Sequence, residues 1–392
     1  MKVAIVVNEL NIRGGTHKQV LRFCQYLEKE KVDFVICTKY YIPDLTYPEF
    51  QFYKILYLNR ESIKVLNQKG SLLKKLENEK NVYKEQRSLY YLIPSDVDII
   101  NIHANGLEYI IDFAKKDGKK VVMQINDLPY YFHVGVHNGL EEKFLHKIHR
   151  FIYRRALKKV DVITVNVTKN KKCVKSCLDK EATVLYCGVD DNPKLTQHKE
   201  LHREKACHIL SVGVFYPYRN YETLINVTEK LLQKGISIYL DIMGSVETDE
   251  NYANFINNLI RTKNLEKYVT IWGQVDENTY LKLFDEADIF AFININQSWG
   301  LAVFEAMSCG LPTIVSNSVG AIELLHNNVD SIIVNPQDEE QIVSIIHKLI
   351  DSPQYYSMLS KNAIDVVKNY TWDCLYCMKV YEIFKGLQAE KK

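Results

Sequence analysis

Short apolar runs alternate with longer amphipathic stretches along the chain of 392 residues. Short apolar runs bounded by polar residues indicate buried strands, and apolar positions repeating at helical spacing indicate covering helices. This alternation predicts an α/β protein with parallel sheets. The predicted strands are Lys2–Asn8, Asp33–Thr38, Phe52–Leu58, Asp98–His103, Lys120–Ile125, Asp161–Asn166, Thr183–Tyr186, His208–Val214, Ser237–Met243, Val269–Trp272, Ile289–Ile293, Thr313–Ser316 and Ser331–Val334. The predicted helices include Lys18–Glu30, Tyr221–Lys234, Asp249–Lys263, Glu277–Ala287 and Asp338–Ser352.

The chain is too long for one hydrophobic core and suits two domains. The polar and charged stretch Asp190–Glu204 shows the weakest pattern of ordered secondary structure between the two halves of the chain. We therefore predict a linker over 190–206. We therefore expect domains over 1–189 and 207–371, followed by an amphipathic segment over 372–392. Each half has about six predicted strands, the size of one doubly wound domain, and the cleft between two such domains is the expected ligand site.

Composition narrows the class of protein further. A net charge of +2 gives no general attraction to nucleic acid, so we expect no nucleic-acid partner. Nine cysteines at irregular spacing do not form a disulfide framework and suit a reducing compartment. The first apolar run is too short for a signal peptide, and no run is long enough to span a bilayer. These features predict a cytoplasmic protein.

Two glycines follow the first predicted strand. Gly14 and Gly15 precede the helix Lys18–Glu30, and a helix start presents unpaired N–H groups to an anion. One interpretation is a diphosphate or a phosphorylated acceptor near Gly14–Thr16. A tight turn without a ligand is the other, and the residues alone do not separate the two.

The most informative stretch is Gln297–Pro312, which follows the strand Ile289–Ile293. A helix is expected to begin near Gly300, and its start suits a phosphate. Glu305 lies one turn into this apolar helix, where a lone carboxylate needs a partner. A ribose diol is one such partner; a solvated glutamate on the helix surface is the alternative for any single residue.

This stretch resembles the donor-site signature of the retaining GT-B glycosyltransferases of family 4, the glycosyl transferases group 1, whose pattern is E-x-F-G-L-x-x-x-E-A-M-A-x-G-x-P-V-I. Matches in the same order extend over most of the chain. They are the double glycine Gly14-Gly15, the V-G segment Ile209–Gly213 with Arg219-Asn220, the strand Leu240–Gly244, the strand Val269–Val275, and Ala287-Asp288-Ile289. The resemblance implies two Rossmann-like domains facing across a cleft and a hexosyltransferase active on nucleotide-diphosphate sugars.

The resemblance also implies residue roles. Glu305 would bind the donor ribose, and Arg219 would neutralise the departing diphosphate. Asn126, Asp127 and Gln297 complete the implied catalytic set. The other implied donor-binding residues are Gly14, Gly15, Thr16, Gly213, Gly244, Gln274, Val275, Ser298, Trp299, Gly300 and Leu301. The segment Trp372–Gly386 resembles the family's helix that crosses back to the first domain. Neither a metal nor another cofactor is expected, since Arg219, a helix dipole and backbone amides would stabilise the leaving group, and retention of configuration is implied by the family.

Three positions depart from the family pattern. Gln297 replaces the first acid, Val214 replaces an arginine after the V-G pair, and Asn126 replaces a histidine. These departures motivate an alternative function: a weak or inactive GT-B subunit that binds a partner. A sugar-nucleotide epimerase is a second alternative, which the loss of the first acid disfavours. A two-lobed solute-binding protein is a poorer choice, because no export signal is evident.

The remaining features concern the acceptor, expected to be a glycan or a lipid-linked glycan. His103, Asn105 and Tyr130 are candidate acceptor-side residues, although a satisfied loop histidine is an equal interpretation for His103. Residues 143–159 predict a basic amphipathic helix, either an ordinary surface helix or one that binds an anionic membrane from the inner face. The spacing of Cys374 and Cys377 is typical of zinc ligands, but no second pair completes a site, so packing is the preferred interpretation.

Overall fold

The computed structural model describes residues 1–58, 72–129, 132, 150–190, 197–201 and 206–390. These residues form two compact units. The first comprises Met1–Cys187 together with Trp372–Lys392, and the second comprises Gly188–Thr371. The predicted domain bounds stay a prediction, because compactness does not test independent folding.

The first unit is built on a seven-stranded sheet with the order β3-β2-β1-β4-β5-β6-β7. All neighbouring strands are parallel, and β1 pairs with β2 from Lys2↔Asp33 to Leu10↔Tyr41. The strands are β1 (Lys2–Leu10), β2 (Asp33–Tyr41), β3 (Ile55–Tyr57), β4 (Ile99–Ile102), β5 (Lys120–Ile125), β6 (Val162–Val165) and β7 (Ala182–Val184). Apolar side chains on both faces of β1 and β4 are buried, as expected for central strands.

Helices cover this sheet. They are α1 (Gly15–Lys29), α2 (Leu72–Leu92), α3 (Glu108–Lys116), α4 (Thr168–Leu178) and, from the end of the chain, α11 (Met378–Ala389). Residues 150–158 are also helical. Phe23 of α1 is fully buried, and its ring meets the edges of Tyr376 and Phe384 at centroid distances of 5.9 and 5.6 Å. The end of the chain thus completes the core of the first unit.

The second unit has a six-stranded parallel sheet with the order β10-β9-β8-β11-β12-β13. Its strands are β8 (Cys207–Val212), β9 (Ile238–Met243), β10 (Val269–Gly273), β11 (Ile289–Phe292), β12 (Thr313–Ser316) and β13 (Ile332–Val334). Its helices are α5 (Tyr221–Gln233), α6 (Glu250–Thr262), α7 (Glu277–Glu286), α8 (Leu301–Ser308), α9 (Glu339–Asp351) and α10 (Pro353–Val367). In both sheets the strand order reverses beside the first strand, which is the doubly wound arrangement.

Predicted and observed bounds differ by up to three residues, and at two elements the local structure differs as well. The strand expected over Phe52–Leu58 is shorter, because Pro48–Phe52 form a 3₁₀ turn and pairing begins only at Ile55. The segment expected over Trp372–Gly386 begins as a π-helical turn over Asp373–Cys377 and continues as α11 to Ala389.

None of the helices in the described part of the chain combines the length and the apolar character needed to cross a bilayer. None of the nine cysteines, all of which lie in the described ranges, forms a disulfide bond. Cys173 and Cys177 lie one helical turn apart in α4, with their sulfurs 4.0 Å apart. Burial raises the pKa of the Cys377 thiol well above its ordinary value, which suits a packing role for that residue.

Candidate functional site

Three glycines lie side by side where the strands of the second sheet end. The Gly213 N–H donates to Met243 O at 2.8 Å, and the Gly244 N–H donates to Gly273 O at 2.9 Å. A Cβ on Gly244 would lie 2.0 Å from Gly213 O, and one on Gly213 would lie 2.4 Å from Arg219 Cζ. Glycine is therefore required at both positions for the loops and the Arg219 side chain to pack this closely.

Arg219 ends a 3₁₀ turn over Pro217–Arg219 and is 9% exposed. Asn220 follows in the left-handed conformation, and its side-chain amide donates to Pro336 O at 2.8 Å, which holds the turn in place. The Arg219 guanidinium lies over the rings of Tyr218 and Phe292, with centroid distances of 5.0 and 5.8 Å. These rings stabilise a buried cation through their π faces.

The polar partners of this guanidinium are uncharged amides. Arg219 Nη1 donates to Gln297 Oε1 at 3.1 Å, and the amide nitrogen of Asn294 donates to the same oxygen. With the Asn294 amide turned over, its oxygen would lie 2.8 Å from Arg219 Nη1. The Arg219 Nε is buried with no hydrogen-bond partner, and no carboxylate within the described residues forms an ion pair with Arg219. Such a cation is a ready partner for an anion.

Helix α8 begins beside this cation-bearing loop. Gly300 precedes its first residue, and a Cβ there would lie 3.0 Å from the Phe292 ring. Trp299 is 5% exposed and stacks on Phe304 at 5.2 Å, so it is a core residue of the second unit. Ser298 and Leu301 are half-buried at the start of the helix. A helix start with glycine next to it leaves backbone N–H groups available to a phosphate.

Glu305 is half-buried in α8 and accepts a hydrogen bond from the Tyr280 hydroxyl of α7 at 2.9 Å. The Tyr280 hydroxyl is thus a hydrogen-bond partner of the kind that a carboxylate in an apolar helix requires. Gln274 is exposed and Val275 half-exposed between β10 and the Asp276 cap of α7. Tyr280, Asn294 and Tyr218 are site neighbours that sequence reasoning missed, because no local motif marks them.

The first unit brings the Gly14 loop against the end of β5. Gly14 caps α1 with extended backbone and no side-chain hydrogen bond, and Gly15 is the first residue of α1. Asn126 Nδ2 donates to Thr16 Oγ1 at 3.2 Å and to Gln19 Oε1 at 2.9 Å. Asn126 Oδ1 accepts from Gln124 Nε2 at 2.9 Å. The hydrogen-bonding groups of the Asn126 amide are thus already used within its own unit.

Two of the acceptor-side candidates lie in different environments, one in a surface loop and one in the core. Asn105 Nδ2 donates to Asp127 O at 2.8 Å, which joins the loops after β4 and β5, and the Asp127 side chain is exposed. His103 is only 2% exposed, packs against Phe23 and Tyr376, and pairs with Asn101 Oδ1 at 2.6 Å. Burial lowers the pKa of His103 to about 3. The structure places His103 in the core of its unit, away from any accessible surface.

Tyr130 and the beginning of the basic segment 143–159 lie outside the described residues. In the described portion, Phe151 is 69% exposed, and Arg155, Lys158 and Lys159 are exposed as well. No group of three or more side chains suited to a metal ion occurs among the residues that the structure describes.

Similarity to solved structures defines the class of fold. HepE of Anabaena in complex with UDP superposes with a TM-score of 0.75 at 14% identity, covering 98% of this chain and 100% of that one. Sucrose-phosphate synthase from Thermosynechococcus elongatus gives 0.78 at 16% identity and covers both chains fully. The predicted GT-B fold, with two doubly wound α/β units, is confirmed.

Sequence comparison then points to a family. Residues 194–366, less than half of the chain, match the family model Glycosyl transferases group 1. An uncharacterized glycosyltransferase of Methanocaldococcus jannaschii is 24% identical over 255 residues, which cover 61% of this chain and 64% of that protein. The O-antigen chain mannosyltransferase RfbU of Salmonella typhimurium is 25% identical over 220 residues, which cover 55% and 59%. The matches thus span less than two thirds of these relatives, and the family model matches residues of the second unit.

Proposed function

We propose that the protein is a glycosyltransferase that moves a hexose-type sugar from a nucleotide-diphosphate sugar to a glycan or lipid-linked glycan. The single observation that carries this proposal is Arg219: a buried guanidinium with no carboxylate partner in the described chain, beside the glycine loops and helix α8. These are the groups that a leaving diphosphate requires. The match of residues 194–366 to glycosyl transferases group 1 supports the same conclusion.

In this proposal each group has a chemical task. Arg219 and the N–H groups at the start of α8 stabilise the negative charge that develops on the diphosphate as the bond to the sugar breaks. Glu305 accepts hydrogen bonds from the two ribose hydroxyls, and the Tyr280 hydroxyl keeps its carboxylate in place. Gln274 and Val275 contact the base through their backbone. Transfer proceeds with retention and without a metal ion.

The acceptor part of the proposal rests on the first unit. Asn105 and Asp127, joined at the ends of β4 and β5, are the candidate acceptor contacts. Exposed Phe151 with Arg155 and Lys158 combines an apolar anchor and positive charge, which favours an anionic membrane surface as the place of the acceptor. We therefore propose a cytoplasmic enzyme that associates peripherally with the inner face of the membrane.

A thermal-shift screen with UDP, GDP and ADP tests the donor site. UDP is the first ligand to try, because the solved structure of HepE contains it. A nucleotide at one hundred times its dissociation constant should stabilise the fold by about 2.7 kcal/mol. Glu305→Gln should lose most of this stabilisation, whereas Glu286→Gln, an exposed change at the end of α7, should keep it. If none of the three nucleotides raises the melting temperature, the proposal is contradicted.

The alternative of an inactive binding subunit has one observation in its favour. Asn126, which replaces the family's histidine, is held by Thr16, Gln19 and Gln124 of its own unit. Incubation of the protein with a nucleotide sugar that gives a thermal shift separates the two functions. Hydrolysis or transfer of the sugar identifies an enzyme, while tight binding without turnover, with or without added glycan acceptors, identifies a binding subunit.

A further inference from the structure

Arg219 is an unusual buried cation because the polar groups that contact its side chain in the described part of the chain are neutral. Gln297 Oε1 accepts from Arg219 Nη1 and is itself held by the Asn294 amide nitrogen, and Tyr218 and Phe292 supply aromatic faces. Asn294 is itself 1% exposed, so this arrangement is built into the core and is not a chance surface contact. A carboxylate would be the strongest partner for a guanidinium, yet none pairs with it in the described chain.

We propose that Gln297 and Asn294 are positioning residues that fix the Arg219 guanidinium while preserving its full positive charge for the donor diphosphate. This inference rests on the proposed function and deepens it. An amide oxygen accepts a hydrogen bond from the guanidinium without neutralising it, so the net charge of the site stays at +1. A carboxylate at either position would form an ion pair with Arg219, and the diphosphate would have to displace it.

The neighbouring loop explains why the charge matters in this chain. The residue after Gly213 is Val214, an apolar side chain in the loop that packs against the guanidinium. This position therefore supplies no second cation. Because residue 214 is neutral here, a neutral residue at 297 leaves these positions with the single positive charge of Arg219. An arginine at 214 together with a glutamate at 297 would give the same net charge toward the anionic ligand. The two departures from the family pattern are compensating changes on this view, and not signs of a lost activity.

The experiment measures the affinity of the nucleoside diphosphate that binds the wild type, by isothermal titration calorimetry, in four variants. Gln297→Glu and Asn294→Asp each introduce one negative charge beside Arg219 with almost no change in shape. Both should weaken binding by about tenfold or more, whereas Gln297→Ala, which adds no charge, should weaken it by less than about fivefold. Val214→Arg in the Gln297→Glu background should restore most of the lost affinity, because it returns the missing positive charge.

A second readout separates charge from structure. Binding of the corresponding uncharged nucleoside, measured by saturation-transfer NMR, should be the same in the wild type and in both carboxylate variants. A structural disturbance would weaken the nucleoside and the nucleoside diphosphate alike. Thermal unfolding of each variant provides the folding control.

The possible outcomes are distinct. Equal or tighter binding by Gln297→Glu would overturn this inference and leave the proposed donor site intact, since it would mean that the carboxylate assists the ligand. Failure of both carboxylate variants to fold would also contradict it, because Arg219 offers each new carboxylate an ion-pair partner. If the wild type binds none of UDP, GDP and ADP, the proposed function fails, and this inference fails with it.

Discussion

Gly213→Ala tests whether the position of Arg219 controls donor binding. The added methyl group would lie 2.4 Å from Arg219 Cζ and 2.6 Å from both Nε and Nη1, whereas ordinary contacts of a Cβ are 3.4–4 Å. The guanidinium must therefore move by about 1 Å or more to relieve the overlap. This movement would lengthen its 3.1 Å hydrogen bond to Gln297 and take it off the Tyr218 ring.

The cost should fall more on binding than on folding. Hydrogen bonds to a charged group are worth about 1.5–3 kcal/mol, so loss of one guanidinium contact to the diphosphate should weaken binding by roughly 10- to 150-fold. The atoms that must shift are the far end of a flexible side chain. The φ of Gly213, +159°, is however one that side chains rarely adopt, so the free energy of unfolding should fall by about 1 kcal/mol.

Gly244→Ala is the matched control, with a larger expected cost to folding. Its Cβ would lie 2.0 Å from the backbone oxygen of Gly213, and its φ of +152° disfavours any side chain. Backbone must move here in addition to the strained φ, so the free energy of unfolding should fall by about 2–4 kcal/mol. Isothermal titration calorimetry and urea unfolding are measured on both variants. Wild-type affinity in Gly213→Ala would refute the reasoning, as would equal losses of stability in the two variants.

Three further predictions concern stability. Burial lowers the pKa of His103 to about 3, so below pH 6.5 the unfolded chain binds a proton that the folded chain does not. Stability should fall by about 2 kcal/mol between pH 6.5 and pH 5, and urea unfolding of His103→Gln should show a shallower pH dependence, while an unchanged slope would contradict the assignment. Lys199 donates to the backbone oxygens of Phe284, Asp285 and Ala287 at the end of α7. Lys199→Met should therefore lower the free energy of unfolding, measured in urea, by about 2 kcal/mol, whereas the exposed Lys282→Met is a control that should leave it unchanged. Gly386 is exposed within α11 with nothing near its Cβ position, so Gly386→Ala should raise the unfolding free energy by about 0.5–1 kcal/mol, and a loss on calorimetric melting would count against a regular helix there.

Sequence periodicity located most strands of the fold well. The predicted strands Ser237–Met243 and Lys120–Ile125 agree with β9 and β5 to within one residue, because buried parallel strands are short apolar runs between polar ends. The error at Phe52–Leu58 has a local cause. Proline and aromatic residues there suit both an edge strand and a 3₁₀ turn, and the sheet edge offers little burial to decide between them.

The sequence predicts the candidate site only where its residues belong to one continuous stretch of the chain. The helix start at Gly300 and the position of Glu305 can be derived from one continuous stretch. The contact between Arg219 and Gln297 cannot, because the two residues are 78 positions apart and meet only through the pairing of β8 with β11. Tyr280 and Asn294 were missed for the same reason. Their chemistry depends on neighbours that sheet order supplies, and periodicity carries no information about sheet order across the chain.

The shared aromatic core of the first unit also constrains how the protein is made. Phe23 lies near the beginning of the chain, but its partners Tyr376 and Phe384 leave the ribosome only after the whole second unit has been synthesised. During that interval, the side of α1 that carries Phe23 lacks these two partners and is open to chaperones or to aggregation. The yield of folded protein should therefore depend on translation speed and on temperature during synthesis, even under conditions in which the finished protein is stable.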